Sequence, residues 1–256
     1  MRPNLIPRYF LILALVAASF FSCNEKEVFT SEAIESYIPL QQGKYIVFRL
    51  DSLVFTNFGR TIETHRYQEM HEVDTLITDN LGRPSYRIFV YQRDSLGTTP
   101  WAPVSTYFIT PLGNQFEKVE NNLRFISMHL PLRDGYSWKG NKYLPTNPYG
   151  TLYNFSNDDN MGDWDYYYDG DPGSFSYNGM NYTDVYSVEQ ADENYNVPIS
   201  DPNAYAARSR SIERFSKDIG LVQREYEMWE YQPNPGGPGG PYYTGFGITM
   251  WMIDHN

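Results

Sequence analysis

Six carboxylates lie close together between residues 158 and 171 of the chain: Asp158, Asp159, Asp163, Asp165, Asp169 and Asp171. Calcium prefers hard oxygen ligands, and carboxylates at short spacing can supply them. An EF-hand does not fit, because with Asp165 as the first ligand Tyr167 falls at the third position and Ser176 at the last. The stretch therefore indicates a looser calcium site, with no other cofactor expected, or a solvated acidic loop, which is the simpler interpretation.

The same stretch contains four aromatic residues: Trp164, Tyr166, Tyr167 and Tyr168. An aromatic ring can stack on the apolar face of a sugar while nearby amides and carboxylates bind the hydroxyl groups. These residues predict a glycan-binding surface. The alternative is that the rings pack partly in the core and partly against the loop.

Histidine offers another route to a metal site. Alternate residues of an extended strand share a face, so Glu69 and His71 would be neighbours in the segment 61–77. His65 would lie about 20 Å from His71, at roughly 3.3 Å per residue, and could not share its ion. Glu69 and His71 could bind one ion together, but a strand face wetted by solvent is the simpler interpretation.

Three Asp-Ser/Thr-Leu triplets carry the hydroxyl residues Ser52, Thr75 and Ser95. The triplet resembles the O-glycosylation sequon of exported Bacteroidota proteins, and the resemblance implies sugar attachment at these hydroxyls. The alternative is that Asp-Ser pairs favour turns through local hydrogen bonds. We place Ser52 and Ser95 near strand ends, where an enzyme could reach them, and Thr75 inside a long strand.

Signatures of common enzyme classes are absent from the sequence. It contains no Gly-x-Ser-x-Gly, no His-Glu-x-x-His and no phosphate-binding loop. This absence favours a non-enzymatic protein, although carboxylate pairs of the glycosidase kind are plentiful and leave that class open.

The single cysteine of the chain, Cys23, follows a leader with a basic start and an apolar run over residues 9–21. A run of about 13 residues fits the apolar region of a secretory signal and is too short to span a bilayer. The leader resembles a bacterial lipoprotein signal, with a loose box similar to those of Bacteroidota. The resemblance implies that residues 1–22 are removed and that Cys23 is acylated, with palmitate among its acyl chains.

Lipidation would hold the protein on a membrane of the cell envelope, and we expect the outer membrane. A net charge of −11 over 256 residues argues against nucleic-acid partners. The remaining partners are the membrane, through the anchor, and an unknown protein or glycan.

The segments that must position these residues have a sequence pattern typical of β-strands. Residues 23–36 are polar and predict a flexible tether, and residues 37–256 predict one domain. Short β-rich runs, including 44–50, 53–58 and 86–92, are separated by turn residues. The chain shows almost no helical periodicity. The sequence therefore predicts a mainly β fold: a curved antiparallel sheet or barrel-like meander, with a loop-rich insert at 139–180 and little helix beyond the signal peptide.

Two further motifs resemble those of small envelope lipoproteins of Bacteroidota. Residues 37–45 are similar to their opening, Y-x-P-L-x-x-G-x-Y, and residues 217–225 to their K-x-I-G-L-V-x-x-E. The resemblance implies a curved antiparallel sheet and an envelope location, and it brings no catalytic residues. The predicted function is a lipid-anchored, non-enzymatic binding or structural component of the envelope. The alternative is a glycan-binding or glycan-processing lipoprotein that uses the aromatic and acidic loop.

Overall fold

One antiparallel sheet organises the part of the chain that the computed structural model describes, residues 32–233 and 239–256. Left-handed backbone reverses the chain at several of its turns, at Asn57 (φ 49°), Gly82 (φ 77°) and Asp218 (φ 63°). Glycine and asparagine adopt this conformation more readily than most residues, which is why turn-rich sequence separates the strands.

Within the described residues the sheet has thirteen strands. They are β1 (Tyr45–Thr56), β2 (Thr61–Thr78), β3 (Pro84–Asp94), β4 (Ala102–Pro111), β5 (Gln115–Glu120), β6 (Leu123–His129), β7 (Ser137–Trp138), β8 (Tyr166–Tyr168), β9 (Gly173–Tyr177), β10 (Met180–Tyr195), β11 (Ala206–Ser216), β12 (Gly220–Gln232) and β13 (Tyr242–His255). Short 3-10 helices occupy Ile34–Tyr37 and Met161–Asp163.

The strand order is β6-β5-β4-β3-β2-β1-β13-β12-β11-β10-β8-β7, and β9 pairs with β10 outside this path. The two ends of the path approach each other, because the Ile126 amide of β6 donates to the Gly140 carbonyl just after β7 (2.8 Å). The Trp138 indole also donates to the Ile126 carbonyl, at 2.9 Å. The sheet is therefore barrel-like and nearly closed, which confirms the predicted fold class.

One strand replaces the two predicted over residues 44–50 and 53–58. Strand β1 continues through Ser52, which pairs with His65 of β2 and Ile248 of β13. Asp51 does not break the strand because Arg49 and Arg66 bind its carboxylate at 2.7 and 3.2 Å. The pair with Arg49 lies within β1 and the pair with Arg66 is cross-strand, and together they offset the low strand propensity of aspartate.

The main hydrophobic core lies where the ends of the sheet meet. Buried aromatic rings from distant strands converge there, including Phe116, Trp138, Tyr168 and Phe215, and Tyr37 of the first 3-10 helix packs among them. Burying each such side chain contributes roughly 1.5–3 kcal/mol. This core holds β5 opposite β11, and so it determines which side chains face each other inside the sheet.

The predicted insert packs against the inner side of the sheet. Tyr149 and Met161 are buried against Tyr226 and Met228 of β12, and the Tyr149 and Tyr226 hydroxyls lie 2.6 Å apart. Residues 139–180 therefore contribute to the core as well as to the surface, although most of this segment is irregular in structure.

Candidate functional site

A cavity of about 90 Å³ lies inside the sheet, between β1–β5 on one side and β11–β12 on the other. Most of its wall is apolar, and these side chains include Ile38, Leu40, Ile46, Val73, Ile88, Ile109, Phe116, Phe215, Ile219 and Leu221. Each water-sized atom needs roughly 10–15 Å³ of such space, so the cavity suits about six to nine non-hydrogen atoms.

Four charged side chains form a cluster in the wall of this cavity, which we call the ion cluster: Lys118 and Glu120 of β5, Glu213 of β11 and Arg224 of β12. The Arg224 guanidinium donates to both oxygens of Glu120, at 3.3 and 3.0 Å. The Lys118 ammonium lies 2.9 Å from Glu213 and 3.7 Å from Glu120. Two cations and two carboxylates therefore bridge the interior from β5 to β11 and β12.

Glu120 and Arg224 keep their charges although the ion cluster is largely buried. The exposed fractions of the Glu213 and Arg224 side chains are 4% and 11%. Burial alone would raise the pKa of Glu120, but the charges of Arg224 and Lys118 outweigh it and hold that pKa well below its usual value. Burial would lower the pKa of Arg224, but Glu120 and Glu213 raise it. Glu120 and Arg224 are therefore ionised at neutral pH.

A second polar group lines the same cavity. The Nε2 atom of His71 lies 2.8 Å from the Glu69 carboxylate, and its Nδ1 atom lies 3.1 Å from the Tyr107 hydroxyl. Burial raises the pKa of Tyr107. His71 and Glu69 are neighbours as predicted, but their side chains are only 10% and 15% exposed. The prediction that this face of β2 meets solvent is therefore wrong here, because the curved sheet turns it inward.

The two motifs that resemble envelope lipoproteins meet at the mouth of the cavity. The Asp218 amide donates to the Ser36 carbonyl at 2.6 Å, and the Lys44 ammonium donates to the Asp218 carbonyl at 3.1 Å. Gly220 (φ 109°) lies against Ile46 and Pro39, where a β-carbon would come within 3.2 Å of the Ile46 side chain. The motifs are 174 residues apart at Lys44 and Asp218, and together they build one rim.

Sequence reasoning missed the ion cluster and the cavity. Lys118 and Glu120 alternate along a short strand, a pattern that is also typical of a face turned to solvent. Phe116, on the same face of β5, was the one signal that this face could point inward, since it precedes Lys118 by two residues.

The structure does not gather the acidic stretch into a metal site. Among the described residues no group of three or more His, Cys, Asp or Glu side chains could hold an ion. Asp158 is buried and accepts from the Tyr149 amide at 3.0 Å, and burial raises its pKa. Asp165 pairs with Lys139 at 3.0 Å. The other four carboxylates are exposed: Asp159, Asp163, Asp169 and Asp171.

Two of the four predicted sugar-binding aromatics lie in the core. Tyr166 and Tyr168 are 2% and 0% exposed, and burial raises the pKa of both. Their hydroxyls donate to Asn141 (2.5 Å) and to the His129 carbonyl (2.8 Å). They therefore cannot stack on a surface glycan, which corrects the prediction at these positions. Their alternation with Tyr167 along β8 explains the outcome, because two of three strand residues face inward.

The other two aromatics stay near the surface. The half-buried Tyr167 donates its hydroxyl to Glu189 at 2.7 Å. Trp164, also half-buried, lines an open polar groove of about 560 Å³. The groove is otherwise lined by Ser156, Asn157, Asp159, Asn160, Asp163, Asp165, Gln190, Ala191 and Glu193.

The predicted modification sites differ in accessibility. Ser95 is exposed in the β3–β4 turn, where the Asp94 carboxylate accepts from the amides of Leu96 and Thr98. Ser52 is half-buried inside β1, away from the strand ends where we expected it, and Thr75 is half-buried inside β2 as expected. Only Ser95 has the open backbone that an enzyme would need.

The predicted lipid anchor belongs to a part of the chain that the structure does not describe. Cys23 and the leader of residues 1–22 lie outside the described residues, as does most of the tether over 23–36. Within residues 32–233 and 239–256, no helix has the length and apolar character needed to cross a bilayer.

Comparison with known proteins gives little. No protein-family model matches the chain, and no curated protein matches it. A solved protein of YMCC-like fold from Bacteroides fragilis, proposed to be exported, is 10% identical over 84% of this chain and 98% of its own, with a TM-score of 0.33. A DUF1329 family protein from Desulfovibrio piger is 11% identical over 86% and 87%, with a TM-score of 0.20. Likenesses this weak assign neither family nor function to the chain.

Proposed function

We propose that the chain is a lipid-anchored, non-enzymatic protein of the cell envelope that binds a small ligand inside its sheet. One observation carries the proposal: the apolar cavity of about 90 Å³ is bounded by the buried ion cluster. Ligand sites in proteins are concave and mostly apolar, with a few polar groups that orient the ligand.

A purely structural interior would be built differently. Replacing a buried ion pair by packed apolar side chains is often neutral or stabilising, so Lys118, Glu120, Glu213 and Arg224 are weak evidence for a stability role. An empty apolar cavity also costs stability, at about 24 cal/mol for each Å³. The buried ion cluster and the empty cavity therefore both lower the stability of the fold, whereas both are useful to a protein that binds a ligand.

A thermal melt of the full chain with benzene, a probe of six carbon atoms, tests ligand entry. Benzene should raise the melting temperature, because it binds only the folded state. Ile109→Trp, which fills the cavity from β4, should abolish the shift. Val104→Trp is the matched control, since Val104 lies on the same strand, 51% exposed and outside the cavity. An unchanged melting temperature in the unsubstituted protein would reject an interior binding site.

The anchor is proposed from Cys23 and the short apolar run before it. Several acyl chains on one residue give stable membrane attachment where one chain does not. Metabolic labelling with an alkyne analogue of palmitate should mark the native protein in the outer-membrane fraction. Cys23→Ser should remove the label and the attachment while the fold survives. Label that persists in this variant would rule out acylation at Cys23.

A glycan-binding role is the second candidate, and the groove beside Trp164 favours it. An indole at the wall of an open groove, with Asn157, Asn160 and exposed carboxylates nearby, has the composition of a sugar site. Titration with maltoheptaose, cellohexaose and xylohexaose, followed by tryptophan fluorescence, tests the role. Trp164→Ala should abolish the response, and Trp101→Ala, at a site in contact with Arg93, should not. The absence of any response in the unsubstituted protein would remove this candidate.

A further inference from the structure

We infer that the cavity selects a short apolar molecule that carries a hydrogen-bond donor, an alcohol or an amine, and excludes the corresponding carboxylate. The inference rests on the proposed interior binding function and names the ligand class of the same site. It follows from which polar atoms in the wall already have partners.

The two cations of the ion cluster are already neutralised. Arg224 donates to Glu120 and lies 3.5 Å from Glu213, and Lys118 lies 2.9 Å from Glu213. Lys44, the remaining cation of the wall, lies at the mouth and donates to the Asp218 carbonyl. A carboxylate ligand would therefore find no unpaired cation at the inner end of the cavity.

Acceptor atoms are available at that end. Glu120 lines the cavity and keeps 25% of its side-chain surface accessible, so its cations do not cover it fully. Ionised Glu69 can only accept, so the Nε2–H group of His71 donates to it. In the neutral ring, Nδ1 then accepts the Tyr107 proton, which leaves the lone pairs of the Tyr107 oxygen for a ligand.

The charge balance of the cavity wall also disfavours an anionic ligand. At the inner end the cations Lys118 and Arg224 face three carboxylates. These are Glu69, which is hydrogen-bonded to His71, and Glu120 and Glu213. An anionic head group would add a fourth negative charge in a poorly solvated interior. Like-charge contacts of this kind are a strong source of discrimination. An ammonium group would instead donate to Glu120, and a hydroxyl group to Tyr107.

Three probes of equal chain length test the inference: 1-hexanol, 1-hexylamine and hexanoate, added to the full-length Cys23→Ser protein at pH 8. Hexanol and hexylamine should raise the melting temperature by about 3 °C at ten times their dissociation constants. Hexanoate should bind at least tenfold more weakly by calorimetry. Benzene serves as the probe without a head group.

The outcomes separate the two proposals. Equal affinity for hexanoate and hexanol, with benzene bound, overturns the donor preference and leaves interior binding intact. A protein that binds none of the four probes overturns both.

Two variants test the atoms named. Tyr107→Phe keeps the ring and removes the acceptor, so hexanol affinity should fall about fivefold while benzene affinity is unchanged. Glu120→Gln should reduce the difference in affinity between hexanoate and hexylamine. If Glu120→Gln fails to fold, Tyr107→Phe alone decides. Tyr91→Phe, on β3 and outside the cavity wall, is the matched control and should change neither affinity. Unchanged hexanol binding in Tyr107→Phe contradicts the inference.

Discussion

Replacing Arg224 by methionine removes the central cation of the ion cluster and keeps most of the apolar stem. Arg224 makes two hydrogen bonds to Glu120 and lies 3.5 Å from Glu213, with its side chain 11% exposed. Without it, Lys118 is the one cation of the cluster left for both carboxylates. The substitution therefore leaves an uncompensated negative charge inside the sheet.

Breaking a buried ion pair by removing one partner costs about 3–5 kcal/mol. Lys118 stays 2.9 Å from Glu213, so we expect the lower end of that range, about 3 kcal/mol. For a domain of this size that corresponds to a fall in melting temperature of roughly 6–12 °C. Urea denaturation at pH 7 measures the loss as a change in the free energy of unfolding.

The loss in the free energy of unfolding of Arg224→Met should depend on pH. The pKa of Glu120 is lowered in the folded protein, from an ordinary value of 4.5, so its contribution to stability is complete above that value. The contribution is lost as the pH falls below 4.5 toward the folded pKa. In Arg224→Met the charge that offsets the burial of Glu120 is removed. Glu120 therefore takes up a proton more easily as the pH falls. The difference in stability between the two proteins should therefore shrink at acid pH.

Arg66→Met is the matched control, because Arg66 is 57% exposed and lies 3.2 Å from Asp51. An exposed pair contributes about 0–1 kcal/mol, so this variant should lose little. A loss below 1 kcal/mol for Arg224→Met, equal to that of Arg66→Met and independent of pH, would refute the buried and coupled nature of the ion cluster.

Three further outcomes are expected. Gly220→Ala should lower the free energy of unfolding by roughly 1–3 kcal/mol in urea, because Gly220 has φ 109° and faces Ile46; an unchanged value would contradict this. Millimolar calcium should leave the melting temperature unchanged, since no group of three or more His, Cys, Asp or Glu side chains in the described residues could hold an ion; a rise of several degrees would restore a calcium site. Intact-mass analysis of the native protein should show a sugar that Ser95→Ala removes and Ser52→Ala does not, because only Ser95 is exposed; a mass equal to polypeptide plus lipid would end this proposal.

Local sequence determined the strands and the turns between them. Strand propensity predicted the extended segment 61–77 and the β-rich run 86–92, which the structure pairs as the neighbouring strands Thr61–Thr78 and Pro84–Asp94. These signals act over a few residues, so they can be seen in one sequence. Even the motif at residues 217–220 has a local cause, since Asp218 takes the left-handed backbone (φ 63°) that favours glycine.

The same local rules cannot tell which face of a strand points inward once a sheet closes on itself. Alternation placed Glu69 beside His71 on a face that was expected to meet solvent. Lys118 and Glu120 alternate along β5 in the same way, and they were not identified from the sequence. They face the interior because Lys118 of β5 and Glu213 of β11 are brought together across 95 residues of sequence. Tyr166 and Tyr168 are buried for the same reason, as the tertiary structure closes over β8. The cavity is a product of long-range register, which depends on the whole sheet and not on any one segment.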